Sequence, residues 1–174
     1  MPGPIFLEGE TVELRTIEPE DAAFLQETIN DPEVRRTLAA NAPITGIEEE
    51  NWIESLDNDE GVHLLVCVEG EPVGTVGIQP PSGPSRTVEL GYFIASDAWG
   101  NGYATAAVRL LCRYAFRERG LHKVYADVYD LNPASARVLE KVGFVQEGVH
   151  REQGFVDGEH VDVLRYGLLK NELQ

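Results

Sequence analysis

The sequence predicts an α/β (α+β) fold in one domain spanning residues 1–174, and three observations predict it. A strand-like run, Thr87-Val88-Glu89-Leu90-Gly91-Tyr92-Phe93-Ile94, passes through a loop carrying Gly100 and Gly102 directly into a helical pattern. The same succession recurs where residues 123–129 run into Asn132 and Pro133. Finally, 174 residues can bury one sizeable core and leave little room for a second.

Each element has its own signal. A short strand is expected over residues 12–15, followed by a helix entered through Glu18-Pro19-Glu20-Asp21, whose acids suit the first turn. Pro32 breaks that helix, and a further one is expected over residues 46–56, with Thr45 and Glu48 spaced as a capping box. Residues 62–68 and 72–79 read as a hairpin turning through Glu69-Gly70-Glu71, and residues 80–85 form a loop before the Thr87 strand. In the helix after the glycine loop, Ala104, Ala107, Val108, Leu111, Cys112 and Ala115 recur at helical spacing. Arg117 and Arg119 favour its C-terminal dipole, and Gly120 suits its stop. In the second crossing Asn132 is a good N-cap, Pro133 fits the first helical position, Ser135 falls in the first turn, and Gly143 ends the helix. Internal repeats and low-complexity tracts are absent.

The glycine loop carries the first chemical signal. Gly100 and Gly102 let the backbone approach a ligand closely, and the following helix start offers unpaired N–H groups with a partial positive charge, so an anion is expected there. A tight turn in front of a packed helix would use the same two glycines, so the loop alone does not decide. The second polar helix start, brought to the same sheet edge, lets one ligand touch both.

Composition narrows the partners. The formal charge is -16, from 14 Lys and Arg against 30 Asp and Glu, which repels phosphate backbones and argues against nucleic acid. Lysine occurs only at Lys123, Lys141 and Lys170, as expected for a salt-rich cytoplasm that screens self-repulsion; an ordinary acidic cytosolic protein is the plainer alternative. Cys67 and Cys112 lie in apolar runs without Cys-x-x-Cys spacing and are expected to be buried thiols. His63, His122, His150 and His160 show no ligand spacing, so no metal is expected. No apolar run is long enough to span a bilayer and no signal-like segment opens the chain, so a soluble cytoplasmic protein with no membrane partner is expected.

In order and wording these pieces resemble the GCN5-related N-acetyltransferase (GNAT) superfamily, and within it the RimJ/RimL-like ribosomal-protein N-terminal acetyltransferases. The family's Gln/Arg-x-x-Gly-x-Gly/Ala loop is matched by Trp99-Gly100-Asn101-Gly102-Tyr103-Ala104. Asn132 to Ser135 and Val138 to Phe144 match its later Asn-x-x-Ser and Val-Leu-Glu-Lys-x-Gly-Phe, and the hairpin with Glu147-Gly148 and Asp157-Gly158 also fits. The resemblance runs from about residue 11 to residue 169.

It implies a single mixed sheet of about six or seven strands flanked by helices and splayed at a cofactor groove. It also implies acetyl-CoA as co-substrate and a primary amine as acceptor: a protein N-terminus first, a small amine such as a polyamine or amino acid as the alternative. A non-catalytic acetyl-CoA sensor is a further alternative, and a homodimer is left open. Pyrophosphate binding is expected from backbone groups of Gly100, Asn101, Gly102, Ala104 and Thr105, with Trp99 replacing the usual Gln or Arg. The backbone of Phe93 and Ile94 is expected to pair with the pantetheine arm, with plain core packing the alternative for Phe93, and Asn132 is expected to bond the arm or merely to cap its helix.

Glu89 is the expected general base, with a solvated acid as the alternative. The tyrosine that many members use as the acid is replaced by Leu139, which leaves Ser135 for the thiolate, with a bond to a helix-end amide or to the cofactor as its alternative role. A hairpin glutamate of the subgroup aligns with Gly154, leaving Glu152 as a displaced substitute.

Overall fold

The computed structural model describes residues 2–38 and 40–174. Eight strands form one sheet: β1 (Ile5–Glu8), β2 (Glu13–Thr16), β3 (Val62–Val68), β4 (Glu71–Ile78), β5 (Thr87–Ile94), β6 (Lys123–Tyr129), β7 (Val145–Val156) and β8 (Glu159–Leu169). Their order is β1-β2-β3-β4-β5-β6-β8-β7. Neighbours are antiparallel except β5 and β6, which are parallel and joined by the long helix α4 (Tyr103–Arg117).

The mixed α/β architecture agrees with the sequence reading, and the strand number exceeds it because β1 carries no usable pattern. It is an exposed edge strand whose residues are nearly all solvent-facing, so alternation gives no signal. A second difference lies at Pro32, where the chain does not simply break. Asp31 accepts the Glu33 N–H at 2.9 Å and starts the one-turn helix α2 (Pro32–Arg35), with proline at a position that needs no N–H.

Two helices precede and follow it, α1 (Ala22–Asn30) and α3 (Gly46–Ser55). The capping box before α3 forms as expected: Glu48 N–H donates to Thr45 Oγ1 at 3.2 Å, and Thr45 N–H donates to Glu48 Oε2 at 2.8 Å. Ala22, Leu25 and Ile53 of α1 and α3 pack on Leu65 and Cys67 of β3 on one face of the sheet. On the other face α4 and α5 (Pro133–Val142) bury Val108, Leu111, Cys112, Leu139 and Val142 against Val88, Leu90, Val124, Ala126 and Leu168. Each fully buried leucine there contributes about 1.5–3 kcal/mol by leaving water.

The feature that positions the site is a loss of pairing. β5 and β6 are in register only from Thr87–Lys123 to Glu89–Tyr125, after which they diverge. Each stays paired on its outer side, β5 with β4 as far as Ile94 and β6 with β8 as far as Tyr129. A wedge therefore opens between their C-terminal halves.

Candidate active site

A groove of about 740 Å³ fills the wedge and runs to the starts of α4 and α5. Apart from Glu152, the site residues read from the sequence lie along it, from Glu89 and Phe93 through the loop to Asn132 and Ser135.

The glycine loop forms its floor at one end. Gly100 and Gly102 have φ of 80° and 78°, the left-handed region open to glycine at little cost, and a Cβ on either would meet open space. The glycines are thus required by the backbone and not by a crowding neighbour. Gly102 caps α4 without a side-chain bond, and Ala106 N–H is the first to find an intrahelical acceptor, Gly102 O at 3.1 Å. The N–H groups of Tyr103, Ala104 and Thr105 precede it and face the groove end, where an anion is favoured. Asn101 turns its amide inward, donating to Ala98 O at 2.9 Å and Trp99 O at 3.2 Å, so its side chain braces the loop. Arg137 and Lys141, one turn apart on α5, line the same groove and are cations that sequence reading passed over.

The β5 edge modifies one expectation. Gln79 N–H donates to Glu89 O and Ala95 N–H to Val73 O, so the odd-numbered residues of β5 turn their backbone toward β4. Phe93 is among them, paired with Thr75, and its ring lies against the α1–α3 cluster. Past the last β5–β6 pair, Glu89–Tyr125, the backbone groups turned to the wedge are those of Tyr92 and Ile94. Of these, the Ile94 carbonyl already accepts from Trp99 Nε1 at 2.7 Å.

Across the wedge Tyr92 reaches α5: its hydroxyl lies 2.5 Å from Ser135 Oγ and 3.3 Å from Ser135 O. Burial pushes the Tyr92 phenol up to about 12, outweighing the opposing hydrogen bond with Ser135, so it is protonated at neutral pH. Asn132 Oδ1 accepts from Ser135 N–H at 3.3 Å, which caps α5 and fixes the first turn. Leu139 is fully buried and takes no part in the groove.

Glu89 and Asp127 are the acids along the groove. Asp127 is held by both nitrogens of a fork: Arg165 Nε and Nη2 each donate to it at 2.8 Å, and the guanidinium lies 4.3 Å from the Tyr125 ring centre. Glu152 is outside the groove, on a bulge with φ of 53° where its N–H donates to Asp162 Oδ1. Gly154 lines the groove, but a Cβ there would sit 2.5 Å from the Tyr129 ring, so Tyr129 occupies the space a longer side chain would need. Asp127, Arg165 and Tyr92 escaped sequence reading because their partners lie 38 and 43 residues away.

Among the described residues no cluster of His, Cys, Asp and Glu is placed to hold a metal, and no helix is long and apolar enough to cross a membrane.

A parallel wedge of this kind, with a glycine loop at a helix start on one side and a capped helix on the other, is the architecture of an acyltransferase that binds a CoA thioester. Residues 11–145 match the profile of the acetyltransferase (GNAT) domain, and the chain belongs to that family. It is an acetyl-CoA-dependent N-acetyltransferase. A Bacillus subtilis (strain 168) protein named "Putative ribosomal N-acetyltransferase YdaF" is 32% identical over 172 residues, covering 94% of each chain. The crystal structure of a Vibrio cholerae spermidine N-acetyltransferase in complex with CoA and spermine superimposes with a TM-score of 0.86 at 25% identity, over 94% of this chain and 98% of that one. RimL, a ribosomal L7/L12 α-N-protein acetyltransferase solved with coenzyme A, shares the fold with a TM-score of 0.82 at 16% identity, covering 95% and 98%.

Proposed function

We propose that the acceptor is the N-terminal α-amine of a protein or peptide, acetylated by direct attack on the thioester of acetyl-CoA. The observation that carries this is the charge of the groove. Of its two acids, Asp127 is taken up by Arg165 and only Glu89 is left for an acceptor, which suits a single ammonium group. An α-amine near ~8 is roughly a tenth neutral at pH 7, whereas an alkylamine near ~10.4 is below roughly a thousandth, so one modest base suffices for the former.

In this reading Glu89 takes the ammonium proton, directly or through one water. The amine then attacks the carbonyl carbon, and backbone N–H groups on the free edge of β5 face the developing oxyanion. As the adduct collapses the nitrogen gives its second proton to groove water, the electron pair of the breaking C–S bond goes to sulfur, and Ser135 Oγ–H supports the thiolate. Pyrophosphate oxygens meet the N–H groups of Gly102 to Thr105, and Arg137 and Lys141 supply nearby positive charge.

A polyamine acceptor is the second reading, favoured by the similarity to spermidine acetyltransferases. Thiol release from acetyl-CoA, compared across N-terminal peptides and polyamines, separates them. A higher kcat/KM for peptides supports the proposal, and a higher value for spermidine overturns it.

A further inference from the structure

We infer that Tyr92 is a positioning residue for the leaving-group side of the reaction: its phenol donates to Ser135 Oγ and so turns the serine's own proton toward the sulfur. The inference rests on the acetyltransferase reading of the groove and on Ser135 as the group beside the thiolate.

The geometry leaves two ways to share the protons of this pair. The Tyr92 oxygen is 2.5 Å from Ser135 Oγ and 3.3 Å from the Ser135 carbonyl. If the serine donates to the phenol, its only proton is used, and the tyrosine donates onward to the carbonyl. If the phenol donates to the serine, Oγ keeps its proton free for the groove. An anionic sulfur selects the second arrangement, because it can accept from Ser135 only there. Tyr92 can hold that arrangement because it stays protonated over the working pH range, and because both ends of the bond are fixed. It comes from β5, paired with Val76, while Ser135 sits in the first turn of α5, where Asn132 accepts its N–H.

The pair also bridges the wedge where β5 and β6 have stopped pairing, so it sets the distance between the β5 edge and the α5 start. Leu139, fully buried, cannot replace it as a proton donor. Tyr92 is not asked to lose its proton. The sulfur takes the Ser135 proton as the C–S bond breaks, and the second proton given up by the new amide nitrogen returns through groove water to the serine, while the phenol remains a donor throughout.

The test is a double-mutant cycle on the full chain with acetyl-CoA and the best acceptor found for the wild type, comparing Y92F, S135A and Y92F/S135A. Wild-type turnover checks the enzyme reading by itself, and calorimetric CoA affinity checks the groove. The expected result is a kcat about tenfold lower in Y92F with KM for acetyl-CoA and CoA affinity unchanged, and no further loss when Y92F is added to S135A. A Y92F enzyme at full rate overturns the inference. So does an equal loss in both backgrounds, which is the signature of a general structural role, and so does an S135A enzyme as fast as wild type.

Discussion

Trp99 Nε1 donates to the Ile94 carbonyl oxygen at 2.7 Å, tying the first residue of the glycine loop to the last residue of β5. Trp99 is 46% exposed, and the hydrogen bond fixes the direction in which its indole N–H points. In effect the tryptophan satisfies a wedge-facing carbonyl and holds the loop at a fixed height over the groove. Trp99→Phe keeps the ring and removes the donor, a net loss of about 0.5–1.5 kcal/mol if the loop must be held for binding. CoA affinity by calorimetry is expected to fall roughly two- to tenfold, which is that energy expressed as a ratio. Unchanged affinity would mean that the loop is held without the indole.

The loop backbone itself makes a second prediction. Gly102 has φ of 78°, and a Cβ there would meet no atom within 4 Å, so a substitution acts through the backbone alone. Gly102→Val should resist the left-handed conformation by about 1–2 kcal/mol, and it should weaken CoA binding by an order of magnitude as the α4 N–H groups turn away. Gly148→Ala is the control, since that glycine also has open space around its Cβ but no positive φ. It should bind CoA as the wild type does.

These two residues show what was legible. The loop, both helix starts and their caps are local patterns, set by residues within a few positions of each other, and the structure builds them where the sequence places them. The wedge is different. It exists because β6 pairs with Thr87, Val88 and Glu89 but not with Leu90 and beyond, and nothing in the β5 sequence marks that change. Which backbone groups face the wedge follows from the register of β5 against β4, a non-local fact, and in that register the Phe93 backbone turns to Thr75 while Tyr92 and Ile94 face the wedge. Likewise the Asp127–Arg165 fork joins two strands 38 residues apart, and without it the charge of the groove cannot be counted. Edge strand β1, exposed except at Leu7, leaves no periodic trace.

Glu89 lines the groove on β5 with its side chain exposed, as a base for an incoming ammonium requires. Glu89→Gln is expected to lower kcat/KM at neutral pH by about 10²–10⁴-fold, the usual worth of a positioned base. The deficit should shrink as the medium deprotonates the acceptor by itself. With a peptide N-terminus recovery is expected near pH ~8, and with an alkylamine only near ~10.4, so the same profile also reports the acceptor class. A deficit of equal size at every pH would give Glu89 a structural role.

Glu49 offers a prediction on stability away from the groove. It lies one turn before Ile53 on the packed face of α3 and is only 7% exposed, and burial raises its carboxyl above the ordinary 4.5. A raised folded-state value means the fold prefers the protonated acid. Its contribution is therefore fully present below the unfolded-state value and is lost as pH rises through the folded one, leaving a buried charge at neutral pH. Glu49→Gln keeps the shape and removes the charge, so the variant should melt higher than wild type at neutral pH, by roughly 2–4 °C for each kcal/mol recovered. Below pH 4.5 the wild-type side chain is itself neutral and the two proteins should melt together. A gain of the same size at both pH values would locate the effect in packing, and a loss at neutral pH would show that the carboxylate has a partner the amide cannot serve.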